Sequence, residues 1–266
     1  MDDRDYAMMI RKIDELFDLD LRSYKEGQMR WRLSTFVSRS GCESTAAFVG
    51  RLSRDATLVD DLRTMLTINV TEFFRDAAQW RTLRESVLPD LLQRTSTPKV
   101  WSAGCSHGGE PYSLAMLLAE AGVRRASIVA TDLDRRILSH AKAGGPYGPK
   151  DVVSVPPEIR ASAFEERDDG LYVGAAVRKQ VQFRELNLLR DRFPTGVDLV
   201  VCRNVIIYFT DDVKTDLMRR FHEALTPGGV LFIGATESML NAEDLGFSRL
   251  ASSFYTRPNP DMARAA

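Results

Sequence analysis

"WSAGCSHGGEPYSLA" occupies residues 101–115. An apolar lead-in, "KVWSAG" after Pro98, runs into Gly104, Gly108 and Gly109, and a helix-like segment begins at Pro111. Strand, glycine turn, helix is the opening unit of a sheet that can bind a nucleotide, though the same turn also serves as a tight connection. Working outward, the pattern repeats. "SIVATDLD" reads as a strand ending in acids, "DLVVCRNVIIYF" as a buried strand with its loop, and "GGVLFIGA" as a strand entered through a Pro-Gly-Gly turn. Helical stretches at Pro111–Ala121, Asp134–Ala143 and Asp211–Leu225 separate them. This alternation predicts a mainly parallel sheet covered by helices, an α/β class. Pro146 to Val181, rich in Pro, Gly and charge, fits less well. Its strand-like pieces "GLYVG" and "QVQF" predict a small inserted β-subdomain.

Before residue 90 the spacing is helical. Met8, Met9, Ile13, Leu16 and Phe17 share a face of a segment from Asp5, and Met29, Leu33, Phe36 and Val37 a face of Tyr24–Arg39. Ser44 and Asp55 are placed to cap two further helices. The chain has 266 residues and a net charge of −1, so bulk attraction to nucleic acid or an anionic membrane is not expected. "MDDRDYAMM" lacks a basic region followed by an apolar one, and no apolar run approaches a membrane span. Cys42, Cys105 and Cys202 are scattered, and His107, His140 and His222 lack ligand spacing. The expectations are a cytoplasmic location, reduced thiols and no metal.

The nature of the nucleotide follows from its neighbours. Ligands of an open parallel sheet sit beyond the carboxyl ends of the strands, where Gly104 begins the turn. Asp132 closes the second strand 28 positions later and can accept hydrogen bonds from ribose hydroxyls. Asp134 is the better cap for the next helix. The spacing is GxxxGG rather than the GxGxxG of nicotinamide enzymes, and Glu110 follows directly. A carboxylate repels a pyrophosphate but suits an amine or a sulfonium, and S-adenosylmethionine carries both.

"NVTEFFRD" at 69–76, taken with the glycine turn, "ATDLD", "LNLL", "CRNVIIYF" and the closing "ATESML…GFSRLASSFYTR", resembles the chemotaxis receptor methyltransferase (CheR) family over nearly the whole chain. The resemblance implies an all-α receptor-docking domain over 1–75. A Rossmann-like S-adenosylmethionine methyltransferase domain would follow over 76–266, with the insertion at about 146–181. It implies cofactor contacts at Asn69, Thr71, Arg75, Gly104, Glu110, Asp132, Asn187, Leu188, Arg203 and Asn204. Asp132 would hold the ribose, Asn187 and Leu188 would meet the adenine, and Arg75 and Tyr208 would lie near the transferred methyl as the catalytic residues. Phe73 and Phe74 read as core. The partners implied are the cytoplasmic methylation helices of membrane chemoreceptors, with no nucleic acid, no membrane insertion and a monomeric enzyme. One departure stands out: the family's turn reads G-E-E-P, and this chain has Gly108-Gly109-Glu110-Pro111.

The implied reaction is transfer of methyl to a glutamate carboxylate, giving a methyl ester and S-adenosylhomocysteine. Arg22 to Arg54 holds seven basic residues against Glu26 and Glu43. Lys25, Arg32 and Arg39, seven apart, would share a face of a continuous helix and could dock a glutamate-rich partner. A solvated charged face is the plain alternative. Other readings are a methyltransferase with another acceptor and a non-catalytic homologue that binds cofactor or receptor.

Overall fold

The computed structural model describes residues 1–67, 71–239 and 241–260. Asn69 lies outside the described residues. The chain divides into two compact units, Met1–Asn69 with Tyr208–Lys214, and Val70–Ile207 with Thr215–Ala266.

The first unit is helical. Helices α1 (Asp3–Phe17), α2 (Glu26–Arg39), α3 (Thr45–Leu52) and α4 (Ala56–Thr67) bury one stripe each. The stripes are Tyr6, Met9 and Ile13; Met29, Leu33 and Val37; Thr45, Phe48 and Leu52; and Leu58, Leu62 and Leu66. Residues three and four apart on a helix face the same way, which is why this spacing closes a core. The expected caps form: Ser44 Oγ accepts from the Ala47 N–H and Asp55 Oδ1 from the Leu58 N–H. Residues 208–214 join this unit through backbone. The Lys25 N–H donates to the Tyr208 carbonyl, the Thr210 N–H to the Ser23 carbonyl, and the Tyr24 and Phe209 rings meet at 4.9 Å.

The second unit opens with α5 (Ala77–Thr82), which passes through a wider turn, Leu83–Val87, into α6 (Leu88–Arg94). Then β1 (Lys99–Ala103), α7 (Gly109–Glu120), β2 (Ser127–Asp132) and α8 (Arg135–Ala143) alternate as expected. After α9 (Pro157–Ala163), β3 (Phe164–Arg167) and β4 (Gly170–Val173) pair antiparallel as a separate hairpin, and α10 (Ala175–Arg178) follows. The remaining elements are β5 (Val181–Glu185), β6 (Val197–Cys202), α11 (Asp211–Ala224), β7 (Leu225–Ile233), β8 (Ser248–Ala251) and β9 (Phe254–Thr256). The large sheet has the order β5-β2-β1-β6-β7-β9-β8. Its first five strands are parallel and the β8–β9 hairpin is antiparallel. "QVQF" therefore belongs to the main sheet and not to the insertion, because β5 pairs with β2 from Ile128↔Val181 to Asp132↔Glu185. A five-residue strand with alternating exposure looks the same in either place until its partner is known.

Central strands read as continuous apolar runs because both faces are covered. Trp101 on β1 stands opposite Val129 and Val200 and is fully buried. The order reverses between β1 and β6, so their loops part at that point and leave a crevice at the carboxyl edge. Thr71–Arg75 runs into the core of this unit. Phe73 is fully buried, 4.8 Å from the Tyr147 ring, 5.1 Å from Phe164 and stacked at 6.4 Å on Tyr112. Its backbone N–H donates to the Asp151 carbonyl. The predicted core role of Phe73 and Phe74 is what the structure has. We expect Phe73→Ala to destabilise this unit by about 3–5 kcal/mol, read as a lower urea midpoint. A shift below about 1 kcal/mol would mean the site collapses around the lost ring.

Candidate functional site

The loops leaving β1, β2, β5 and β6 meet at the crevice. Gly104 follows β1 at φ +80°, and a Cβ there would lie 2.6 Å from a Val205 methyl, so only glycine fits. The Gly104 and Cys105 N–H groups donate to the Thr131 carbonyl, which fastens the turn to β2. At Gly109 the constraint is space rather than φ. A Cβ would stand 3.1 Å from the Glu72 carbonyl carbon and from the His107 ring. The missing acid of this chain is thus replaced by close approach of Glu72–Phe73, while the His107 ring bonds the Thr71 carbonyl at 3.0 Å.

Glu110, in the first turn of α7, is buried and faces the crevice with Arg203. Its Oε1 accepts from Ser102 Oγ at 2.8 Å, and its Oε2 is 3.7 Å from Arg203 Nη1. Burial raises its pKa to about 6, against the lowering pull of Arg203, Ser102 and Arg75 and with Glu237 adding repulsion. Asp132 is held by backbone: the Ser106 N–H donates to Oδ2 at 2.8 Å and the Asp134 N–H to Oδ1 at 3.0 Å. Desolvation raises its pKa and these N–H groups oppose the shift. A carboxylate has about four lone-pair directions, so two bonds leave capacity for ribose hydroxyls. Asp134 caps α8 through the Arg136 and Ile137 N–H groups, as expected.

Arg203 leaves β6 with its side chain inside the protein. Its Nη2 donates to the Arg75 carbonyl at 2.7 Å, to Asp76 Oδ2 at 2.9 Å and to Gln79 Oε1 at 2.8 Å. Its guanidinium lies 4.7 Å from the Phe232 ring centre. Its Nε is buried with no hydrogen-bond partner among the described residues, an orphaned donor suited to an acceptor on a ligand. The Arg75 carbonyl also accepts from Trp80 Nε1, so two donors pin the backbone that carries the Arg75 side chain. Asn204 sits at φ +60°, and its N–H donates to Glu237 Oε2. Among the described residues six non-glycines have positive φ. Four of them, Phe74, Asp76, Ser106 and Asn204, belong to this crevice, where backbone strain is commonly concentrated at a working site. Asn187 and Leu188 lie just past β5, where the Leu186 N–H donates to the Asp132 carbonyl.

Arg75, Gly104, Glu110, Asp132, Asn187, Leu188, Arg203 and Asn204 therefore fall on the loops of one edge of the second unit, with Thr71 tied to it through His107. Tyr208 belongs to the first unit, where Lys25 donates to its carbonyl. The sequence reading missed Ser102, Asp76, Gln79 and Glu237. Glu237 takes the Asn204, Gly234 and Ile207 N–H groups. It stood inside the quoted "ATES", but no spacing marks it as a loop anchor. The expected single face of Lys25, Arg32 and Arg39 does not form. α2 starts at Glu26, which leaves Lys25 outside the helix. Arg32 is half-buried with Nη2 donating to the Met65 carbonyl, and Arg39 is exposed in the last turn.

A buried Glu110 in the first turn after the glycines, an orphaned Arg203 N–H and an acid ending β2 fit S-adenosylmethionine, which carries an ammonium, a sulfonium and a carboxylate at one end and two ribose hydroxyls in the middle. These groups form a candidate cofactor site of the S-adenosylmethionine-dependent methyltransferase class. The model for the CheR methyltransferase S-adenosylmethionine-binding domain matches residues 69–254, and the chain belongs to that family. It is similar to a chemotaxis protein methyltransferase of Listeria monocytogenes, 40% identical over 96% of this chain and 98% of the relative. It is also similar to chemotaxis protein methyltransferase 1 of Pseudomonas aeruginosa, 36% identical over 90% of this chain and 92% of the relative. Among solved structures a TehB-like S-adenosylmethionine-dependent methyltransferase of Corynebacterium glutamicum covers 68% of this chain and 92% of its own. It is 19% identical with a TM-score of 0.39. Among the described residues no helix is long and apolar enough to cross a membrane.

The raised pKa of Glu110 has two consequences. A group protonated more readily when folded loses stability as pH rises from the unfolded value through about 6. At neutral pH its forced ionisation costs about 2 kcal/mol. Glu110→Gln should therefore hold or raise thermal stability at pH 7.5 while weakening S-adenosylmethionine binding. In the unsubstituted protein cofactor affinity should fall as pH drops through about 6, where the carboxylate neutralises. Affinity flat between pH 5 and 8 would remove Glu110 as the charge partner of the cofactor.

Proposed function

We propose that the protein transfers methyl from S-adenosylmethionine to glutamate side chains on the cytoplasmic methylation helices of membrane chemoreceptors, acting as a monomer in the cytoplasm. The observation that carries this reading is the extent of the Listeria match. It takes in 98% of a chemotaxis protein methyltransferase and 96% of this chain, the helical unit included. An enzyme with a small-molecule acceptor has no need of those helices.

Bound S-adenosylmethionine supplies a methyl group activated by a positive sulfur. The chain's residues have to hold, align and dry the reactants. Glu110 and Asp132 retain the cation and the ribose hydroxyls, and Asn187 with Leu188 meets the adenine. A glutamate carboxylate, with a pKa of about 4.3, is ionised at neutral pH and needs no general base. Rate then comes from alignment and from exclusion of water around the acceptor. Arg75, its backbone pinned by Arg203 and Trp80, orients the acceptor carboxylate or the cofactor through its planar fork of donors. Tyr208 is the other catalytic residue of this reading, either as a hydroxyl donor to the acceptor or as a side chain that closes the site. Docking falls to exposed basic groups at the two ends of α2, Lys25 and Arg39. Trp31, 70% exposed between them, is the type of side chain that anchors an interface.

The decisive assay combines the protein, methyl-labelled S-adenosylmethionine and chemoreceptor-containing membranes, followed by mild alkali. Alkali-labile label on a receptor-sized band is the expected result. Absence of label, with cofactor binding present in the same sample, would assign a different acceptor or a binding role. Arg75→Ala should lower turnover by about 10²–10³, and normal turnover in a folded variant would end its role. Lys25→Glu with Arg39→Glu should slow methylation of receptor and flatten its salt dependence, leaving S-adenosylhomocysteine affinity unchanged. An unaltered rate and salt profile would place docking elsewhere.

A further inference from the structure

We propose that Arg220 is a positioning residue for purine recognition, clamping the turn Asn187–Asp191 from α11 and so setting cofactor affinity and base discrimination. The proposal rests on the reading of Asn187 and Leu188 as the adenine contacts. The turn is closed on itself: the Asn187 N–H donates to Asp191 Oδ2 at 2.7 Å, and the Leu189 N–H donates to Asn187 Oδ1 at 2.9 Å. The Arg190 and Asp191 N–H groups donate to the Asn187 carbonyl. These bonds shape the turn, and the Leu186 N–H just before it donates to the Asp132 carbonyl at the end of β2.

Arg220 holds the turn itself from α11. Its Nη1 donates to the Leu188 carbonyl at 2.5 Å and its Nη2 to the Asp191 carbonyl. Its guanidinium carbon lies 3.9 Å from the Phe193 ring centre. Phe193 stacks on Phe221 at 5.1 Å and meets Trp101 of β1 edge-on at 4.8 Å. One planar cation thus links the turn to an aromatic group that runs through Phe193 and Phe221 to Trp101 of the central strand. Asn187 and Leu188 are buried, while the outer part of the turn borders open volume. A cavity of about 500 Å³ opens there, lined by Leu189, Arg190, Asp191, Phe193, Asp216 and Arg220. The open side of the turn, Leu189–Asp191, depends on its hydrogen bonds to keep its peptide planes. The carbonyl of Leu188 fixes the plane of the peptide that follows the proposed purine contact. A lysine can reach one such carbonyl; a guanidinium holds two at fixed spacing.

The test uses the full chain with Arg220→Met and Arg220→Lys. Calorimetry measures S-adenosylhomocysteine, its inosine analogue and S-ribosylhomocysteine, which lacks the base; methyl transfer gives KM and kcat. The expected result for Arg220→Met is a rise of about tenfold in Kd and in KM for the cofactor with kcat within about twofold. The preference for adenine over the inosine analogue should narrow, and Arg220→Lys should recover part of both. Where Arg220→Met does not fold, Arg220→Lys carries the same comparison. Unchanged Kd, KM and base preference would overturn the clamp. So would lower thermal stability with base preference intact, since that is a packing role only. If the unsubstituted protein binds S-ribosylhomocysteine as tightly as S-adenosylhomocysteine, the adenine reading fails and the clamp fails with it. That failure shows before any substitution, so the two are told apart.

Discussion

One buried cation joins the start of the second unit to the crevice. Arg203 reaches the carbonyl of Arg75, the side chains of Asp76 and Gln79, and the carboxylate of Glu110, while its flat face meets Phe232. Those partners come from the segment before α5, from α5 itself, from α7 and from β7. A guanidinium with five directed donors can hold several acceptors at once, which an ammonium cannot do at fixed angles. Loss of the cation itself would remove the positive charge nearest the buried Glu110 carboxylate and cost about 3–5 kcal/mol. The loop geometry of β6 and the start of the second unit are therefore one problem with one solution.

The same arrangement keeps acids where water would be a better host. Glu110, Asp132 and Glu237 all have raised pKa values, with desolvation the leading cause in each. Backbone N–H groups and Arg203 offset part of that cost. The positive φ angles at Phe74, Asp76, Ser106 and Asn204 add strain in the same region. Stability spent at a site in this way is recovered when a cation binds, which makes the region a ligand-completed part of the fold.

Local patterns that depend on neighbouring residues were readable. Helical spacing found the stripes Met9–Ile13 and Met29–Leu33–Val37, and the caps at Ser44, Asp55 and Asp134 follow from short polar side chains before a helix. The glycine turn with Glu110 and the acid ending β2 pointed to the class of cofactor, because charge and close approach are properties of the residues themselves. β5 was misplaced into the insertion, since pairing with β2 is made by residues far away in the chain. The supposed basic face failed for a similar reason: a seven-residue spacing cannot say where the helix begins or that the Met65 carbonyl captures Arg32.

By itself the sequence determined the α/β class, the alternation of its central strands and helices, the cofactor type and the family, all of which rest on short-range patterns and on motifs read in order. Tertiary structure alone decided that residues 208–214 pack with the N-terminal helices. It also decided that Gly109 is filled by Glu72–Phe73, that Glu237 anchors the loop after β6, and that Arg220 reaches back to Leu188. Each of these joins residues tens of positions apart, and the contact exists only once the sheet order has brought their elements together.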